Sequence, residues 1–273
     1  MKRDEVDVVQ FALPVAGDND IQIINNLRDQ VQSLKEMWTG RTPAGIPMVP
    51  DELTEAAFYG REDVAALLDE GKVPLGLDLE TVEPVTWDLK KGNLLYLTDK
   101  EEQMTQFVKQ IARSKQKVIV LAPAYNELPE MEGVTILSTK EDYVAGIKKM
   151  EENIQLRLEQ QKSQHEATIV LYNQLELMND LSMDLQSSLN YVLEKGARAG
   201  YATVAMSGSQ LNRKIDEVSK SIKLYKQAIV AMRITDQSVL NVINRPVREE
   251  PLDSQVNYYV EDGFVRKVKV LMK

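Results

Sequence analysis

The sequence predicts an α/β protein built on a mainly parallel sheet with helices on both faces. Two observations carry that expectation. From Leu94 onward, short apolar runs such as VIVL and ATIVL alternate with amphipathic segments of helical period, the pattern of βαβ units whose strands are buried on both faces. The closing segment NYYVEDGFVRKVKV sets Asp262-Gly263 between two strand-like stretches and predicts a hairpin at the sheet edge.

The elements follow in chain order. Val9, Phe11 and Leu13 alternate with Gln10 and Ala12 as in a half-buried strand, which Pro14 ends. A helix comes next: Asp18 or Asn19 can cap it, Ile24, Leu27, Val31, Leu34 and Trp38 recur at helical spacing, and Gly40 suits the position beyond its end. Pro43, Pro47 and Pro50 then impose an extended connector. Residues 61–70, closed by Gly71, predict a short helix, and residues 75–79 and 85–89 predict short strands. Strand 94–97 leads into a helix carrying Met104, Phe107, Val108 and Ile111, followed by strands 118–121 and 134–137. Thr139 with Asp142 three residues later predicts a capping box for a helix with the stripe Val144, Ile147, Met150, Ile154 and Leu158. Strand 167–171 precedes one helix with the stripe Met178, Leu181, Leu185, Leu189 and Val192, and strands 201–206 and 228–232 complete the series. We expect residues 1–60 to form a linker segment of strand, helix and proline-rich connector packing on a core of residues 61–273.

Composition narrows the chemistry. The 273 residues suffice for a full core, and no apolar run approaches the roughly 18 residues a membrane span needs. The N-terminus goes straight from charges into a strand pattern, so nothing there marks secretion. Zero cysteines exclude disulfides, thiolate metal sites and cysteine nucleophiles, and the single His165 leaves little for imidazole chemistry. The net charge of -9 is uneven: residues 1–90 hold 18 acidic against 8 basic side chains, the remainder 24 against 25. An acidic front half lacks the clustered Lys and Arg that a general grip on nucleic acid requires.

The junction of strand 94–97 and its helix reads TDKEEQMT, where a nucleotide-binding α/β domain keeps its GxxxxGK[ST] loop. In ungapped register Thr98 and Gln103 take the two glycine positions, Met104 takes the lysine, and only Thr105 survives. Side chains at Thr98 and Gln103 obstruct a close backbone wrap, and Met104 removes the cation. Asp99, Glu101 and Glu102 suit the helix dipole but repel a polyphosphate. A second loss matches the first. Strand ATIVLY ends in Asn173-Gln174, where hydrolysing relatives of such folds place an acidic pair for Mg²⁺ and the attacking water. The plain alternative is a domain that never bound nucleotide, since strand–helix alternation serves many folds.

The stretches ALPVAGDNDIQIINNLRDQV, MWTGRTPAGIPMVPDEL, GKVPLGLDLETVEPVTWDLKKG and YYVEDGFVRKVKV together resemble the FtsK/SpoIIIE-like coupling ATPases of type VII secretion, over essentially the whole chain. The resemblance is to the third, C-terminal ATPase domain of the EssC/YukBA type of the type VIIb system. It implies a RecA-like fold and a piece of a larger membrane-anchored protein, held at the cytoplasmic face of the cell membrane. It implies as partners the other ATPase domains of the same chain and small helical WXG100 substrates, with the membrane reached only through the full-length protein and no nucleic acid. Ser207, after the next strand, then takes the polar sensor position. The departures at Thr98, Gln103, Met104, Asn173 and Gln174 set hydrolysis apart from what is carried over.

Other features have simpler accounts. Trp38-Thr39-Gly40 spells W-x-G, but a buried Trp before a glycine C-cap explains it. His165, in QQKSQHEAT, reads as a solvated loop residue, and Met104, Met150 and Met178 fall on helix stripes as core. Lys195, Arg198 and Arg213 cluster around EKGARAG and could act on a neighbour's nucleotide in a ring, although surface charge is the simpler role. The expected function is thus a non-hydrolysing recognition or regulatory module with no catalytic residue, metal or cofactor. Its rival is a residual NTPase in which Lys100 or Lys109 replaces the lysine, Glu176 the carboxylate, and ATP with Mg²⁺ is bound. A DNA-tracking motor is a third, disfavoured by the acidic front half.

Overall fold

Burial on both faces selects the central strands, and the apolar runs of the sequence supply it. The structure, a computed structural model, describes residues 15–40, 47–89, 92–114, 116–245 and 248–271. The chain divides between Pro47 and Met48 into two units.

The first unit contains α1 (Asp20–Met37), started by Asn19, whose side chain accepts the Gln22 N–H at 3.0 Å. Within it no α1 residue is buried, and Trp38, expected to be buried, is 62% exposed. Among the described residues of this unit no second element offers an apolar layer to cover its stripe. The strand expected at residues 9–13 and the part of the extended connector around Pro43 lie outside the described residues.

The second unit holds, in order, α2 (Glu55–Tyr59), α3 (Glu62–Asp69), β1 (Val73–Asp78), β2 (Pro84–Trp87), β3 (Leu94–Leu97), α4 (Glu101–Ala112), β4 (Val118–Leu121), β5 (Val134–Leu137), α5 (Lys140–Glu159) and β6 (Ala167–Leu171). Then come α6 (Gln174–Asp180), α7 (Met183–Lys195), β7 (Tyr201–Ser207), α8 (Glu217–Lys223), β8 (Gln227–Val230), β9 (Val256–Glu261) and β10 (Phe264–Lys269). The described strands form one sheet of order β2-β1-β10-β9-β8-β3-β7-β6-β4-β5. Strands from β8 to β5 run parallel, and β9, β10, β1 and β2 extend them antiparallel.

The strand period sorts the core. Leu94 and Tyr96 face α4, packing with Met104, Phe107, Val108 and Ile111, while Leu95 and Leu97 face the helices α5 to α8. The predicted capping box is present: Thr139 Oγ1 accepts the Asp142 N–H at 3.2 Å and Asp142 reaches back to the Thr139 N–H at 3.3 Å. A smaller cluster of Leu53, Phe58, Val64, Leu77 and Leu271 seats α2 and α3.

Two expectations are corrected. The closing hairpin is not an edge: β10 pairs with β1, whose own partner β2 is the outer strand. The single helix expected after β6 is two, because Leu181 turns extended and Ser182 caps α7 by accepting the Leu185 N–H at 3.4 Å.

Candidate functional site

Parallel pairing of β3 with β7 brings Leu97 beside Ser207, so the loops that follow these two strands meet at one rim of the sheet. The connection from β3 to α4 is only Thr98, Asp99 and Lys100, and α4 begins at Glu101. Residues 101–104, loop in the ungapped motif register, are helical, and the Gln103 and Met104 N–H groups are turned onto the Lys100 carbonyl at 3.2 and 3.4 Å. Met104 packs in the core beneath α4, 4% exposed, so the position matched to a lysine faces the sheet and not the rim.

Most of the remaining side chains of the junction are hydrogen-bonded, to one another or to the neighbouring loops. Thr98, fully buried, donates its N–H to the Ser207 carbonyl at 2.9 Å and its hydroxyl to Gln103 Oε1 at 2.5 Å, and its Oγ1 accepts the Lys100 N–H at 3.1 Å. Asp99 Oδ1 accepts the Ser209 N–H at 2.9 Å and hydroxyl at 3.3 Å. Glu101 accepts from the Asn126 side chain, and Glu102 stands exposed on the first turn. Thr105 Oγ1 lies 2.8 Å from the Tyr172 hydroxyl, which donates to the Glu101 carbonyl at 3.3 Å.

Across the rim, β6 ends in Tyr172, and Asn173 adopts the left-handed conformation (φ 45°, ψ 58°), which Asn tolerates better than most residues. Its Nδ2 donates to the Tyr125 hydroxyl at 3.0 Å. Gln174 is fully buried: its Oε1 accepts the Ser207 hydroxyl at 3.1 Å and its Nε2 donates to Ser219 Oγ at 3.2 Å. Desolvation, then the charges of Glu176, Glu101 and Asp180, hold the Tyr125 phenol above its usual pKa. The structure therefore gathers Thr98, Gln103, Gln174 and Ser207 into buried contacts along the rim, with Asp99 on the β7 side and Asn173 on the β4 side. Sequence reasoning missed Tyr125, Tyr172, Ser209 and Ser219. A tyrosine closing β6 was the one local signal among them.

The groups invoked for a residual site are divided. Lys100 and Lys109 line a cavity of about 570 Å³ on the β8–β10 side of α4, together with Tyr96, Phe107, Ile229, Asn257 and Val270. Glu176 stands on α6, its Oε2 accepting from Asn179 at 3.0 Å, among the groups around Tyr125. The basic residues do not cluster: Lys195 and Arg198 precede β7 and Arg213 follows it, so a seven-residue strand, about 23 Å long, separates them. His165 is exposed, and among the described residues no group of His, Cys, Asp and Glu could hold a metal ion. Among them, too, no helix is long and apolar enough to cross a membrane.

No family model matches the chain. It is 25% identical to the type VII secretion system protein EssC of Staphylococcus aureus (strain MRSA252) over 90% of its length, and 27% identical to the ESX secretion system protein YukB of Bacillus subtilis (strain 168) over 99%. It spans only 17% and 19% of those proteins. Among solved structures, ATPases 2 and 3 of EssC from Geobacillus thermodenitrificans superpose with a TM-score of 0.78 at 20% identity, covering 94% of this chain and 51% of that one. ATPases 2 and 3 of Thermomonospora curvata EccC, in complex with a signal sequence peptide, superpose with a TM-score of 0.63 at 16% identity, covering 94% and 50%. These likenesses establish the RecA-like fold of the ATPase domains.

Proposed function

We propose that this chain, homologous over most of its length to the type VII secretion proteins EssC and YukB, is their third and last ATPase-type domain with its preceding linker, and that it recognises substrate or regulates its neighbours without hydrolysing ATP. The single observation that carries the reading is the three-residue β3–α4 connection, in which Thr98 is bonded to Ser207, Gln103 and Lys100 and Asp99 to Ser209. A triphosphate needs backbone N–H groups opened into a nest and a cation above them. Here the helix starts early, Met104 is under it, and carboxylates of Asp99 and Glu101 stand at its head. Neither this set nor Asn173 and Gln174 suits Mg-nucleotide, and no cofactor is part of the proposal.

Recruitment needs no catalysis, because an apolar anchor in a groove supplies recognition by itself. The EccC structure that superposes on this chain holds a signal sequence peptide, which supports small helical WXG100-type proteins as the partners of this domain. In the full-length protein the other ATPase domains would be its neighbours at the cytoplasmic face of the membrane. Calorimetry with Mg-ATP should give no heat of binding and no phosphate release, and immobilised chain should retain small secreted helical proteins. Micromolar binding with turnover would reject the reading. Should turnover appear and survive both Lys100→Ala and Lys109→Ala, the lysine-substitution rival would fall as well.

A further inference from the structure

Among the described strands of the parallel part of the sheet, β5 alone has no buried residue. Strands β3, β6, β7 and β8 are buried throughout and β4 is buried except at Ile119, whereas Val134, Ile136 and Leu137 are half-buried and Thr135 is exposed. VTIL is nearly as apolar as its neighbours, so its place makes the difference: β5 ends the sheet, paired with β4 on one side and with no described strand on the other.

Hydrogen bonding fixes which groups face outward. The Val118 and Ala122 N–H groups donate to the Gly133 and Leu137 carbonyls at 3.1 and 3.0 Å. Backbone groups alternate sides along a strand, so Gly133, Thr135 and Leu137 turn to β4, while Val134, Ile136 and Ser138 turn away from it. The Val134 N–H is taken by the Met131 carbonyl at 3.2 Å. The open side therefore presents the carbonyls of Val134 and Ile136 and the N–H groups of Ile136 and Ser138, with no partner for them among the described residues.

Edges that must stay single carry a guard such as a proline, a bulge or an inward charge. The opposite edge of this sheet has two of these: β2 begins at Pro84, and its register against β1 shifts between Pro74 and Gly76. Residues 134–137 hold neither proline nor charge, and they pair with β4 in unbroken register.

A second copy of the same strand, run antiparallel with Ile136 opposite Ile136, meets every one of these open groups. The two Ile136 residues exchange N–H···O=C bonds, and the Ser138 N–H of each copy donates to the Val134 carbonyl of the other. Ile136 then meets Ile136 on the α4 side of the sheet, and Thr135 meets Leu137 on the α5 side, so the half-buried side chains gain apolar neighbours. At each end of the paired segment the exposed Glu132 of one copy comes beside the exposed Lys140 of the other, so the charges match as well.

We propose that β5 is an interface between two copies of this chain, joined antiparallel about Ile136 so that their sheets run on into one another across a two-fold axis. Such an interface is isologous, each copy offering the same patch to the other, and it closes at two.

Sedimentation of the whole chain over a range of concentrations at low ionic strength, with amide hydrogen exchange at the same concentrations, tests the pairing. A monomer–dimer equilibrium is expected, in which exchange at the Ile136 and Ser138 amides slows as the dimer fills. Glu132→Lys and Lys140→Glu, both at exposed positions, should each raise the dimer Kd by about tenfold, because each sets like charges side by side at both ends. The double variant Glu132→Lys/Lys140→Glu should return the Kd to within about threefold of wild type. A chain that stays monomeric to about 1 mM would overturn the proposal. So would a dimer indifferent to the single reversals or not rescued by the double one, since its interface would lie elsewhere. Slow exchange at Ile136 in a chain that remains monomeric would reject it too, by showing the edge covered from within the same chain.

Discussion

Asp99 and Ser209, 110 residues apart, are joined by two hydrogen bonds to one carboxylate oxygen, at 2.9 Å from the Ser209 N–H and 3.3 Å from its hydroxyl. The bond staples the loop after β3 to the loop after β7, and it sets an anion at the rim where a nucleotide would bring its own. Asp99→Ala should therefore lower stability by about 1–2 kcal/mol in urea unfolding, with Asp99→Asn intermediate. Gly208→Ala should act in the same direction, since a Cβ there would stand 2.6 Å from Asp99 Oδ1 and push the carboxylate off Ser209. If neither variant shifts the unfolding midpoint, the staple contributes nothing.

Gln174 occupies a position where an acid would be wanted for hydrolysis, yet it is fully buried between the hydroxyls of Ser207 and Ser219. Gln174→Glu should not restore turnover. It should place a carboxyl where water does not reach, raising its folded-state pKa above the unfolded value of about 4.3. A raised acid is neutral and tolerated below the unfolded pKa and loses stability as pH climbs past it, so the variant should lie near wild type at pH 4 and fall behind by about 2 kcal/mol or more at pH 8. Denaturant midpoints at the two pH values check the sign.

Much of this architecture was legible because strands buried on both faces read as near-continuous apolar runs. VIVL, VTIL and ATIVL fall on β4, β5 and β6 residue for residue. The Thr139 capping box was legible for the same local reason, its partners being three residues apart. The identities at Thr98, Gln103, Met104 and Gln174 could be read in register with a phosphate motif. Their mutual bonding could not, since it depends on β3 lying between β7 and β8, strands more than 100 residues downstream. The break between α6 and α7 was hidden by an apolar stripe that continues across it. The hairpin was misplaced at the edge because β1, which covers it, lies nearly 200 residues earlier and carries no matching local signal.

Two glycines in positive-φ conformations separate backbone strain from steric conflict. Gly200 has φ +85°, and a Cβ on it would lie 1.9 Å from the Gln164 carbonyl oxygen; Gly133 has φ +76° and its nearest neighbour at 3.6 Å. Gly133→Ala should cost about 1 kcal/mol, the conformational term alone. Gly200→Ala should cost at least about 3 kcal/mol, because the backbone of the loop before β6 must also move. Equal losses would mean that the loop at Gln164 yields freely.

The last expectation concerns alkaline pH. Burial, partly offset by Arg113, pushes the Tyr59 phenol up to about 12; burial, with the charges of Asp180 and Asp142, does the same at Tyr143, whose hydroxyl donates to the Ala122 carbonyl at 2.5 Å; and burial with Glu249 raises Tyr258 to about 12. A tyrosine whose folded pKa exceeds the unfolded value of about 10 contributes nothing below pH 10. Above it the unfolded chain releases protons that the folded chain retains, so stability falls between pH 10 and about 12. Several such groups acting together should make the fall steep, with tyrosinate absorbance appearing in step with loss of near-ultraviolet circular dichroism. Tyr143→Phe removes one of these protons along with its hydrogen bond, so it should be less stable than wild type at pH 8 and lose less between pH 10 and 12. Tyrosinate forming fully while the near-ultraviolet signal persists would show that these hydroxyls ionise without unfolding, and would place them nearer to solvent than their packing implies.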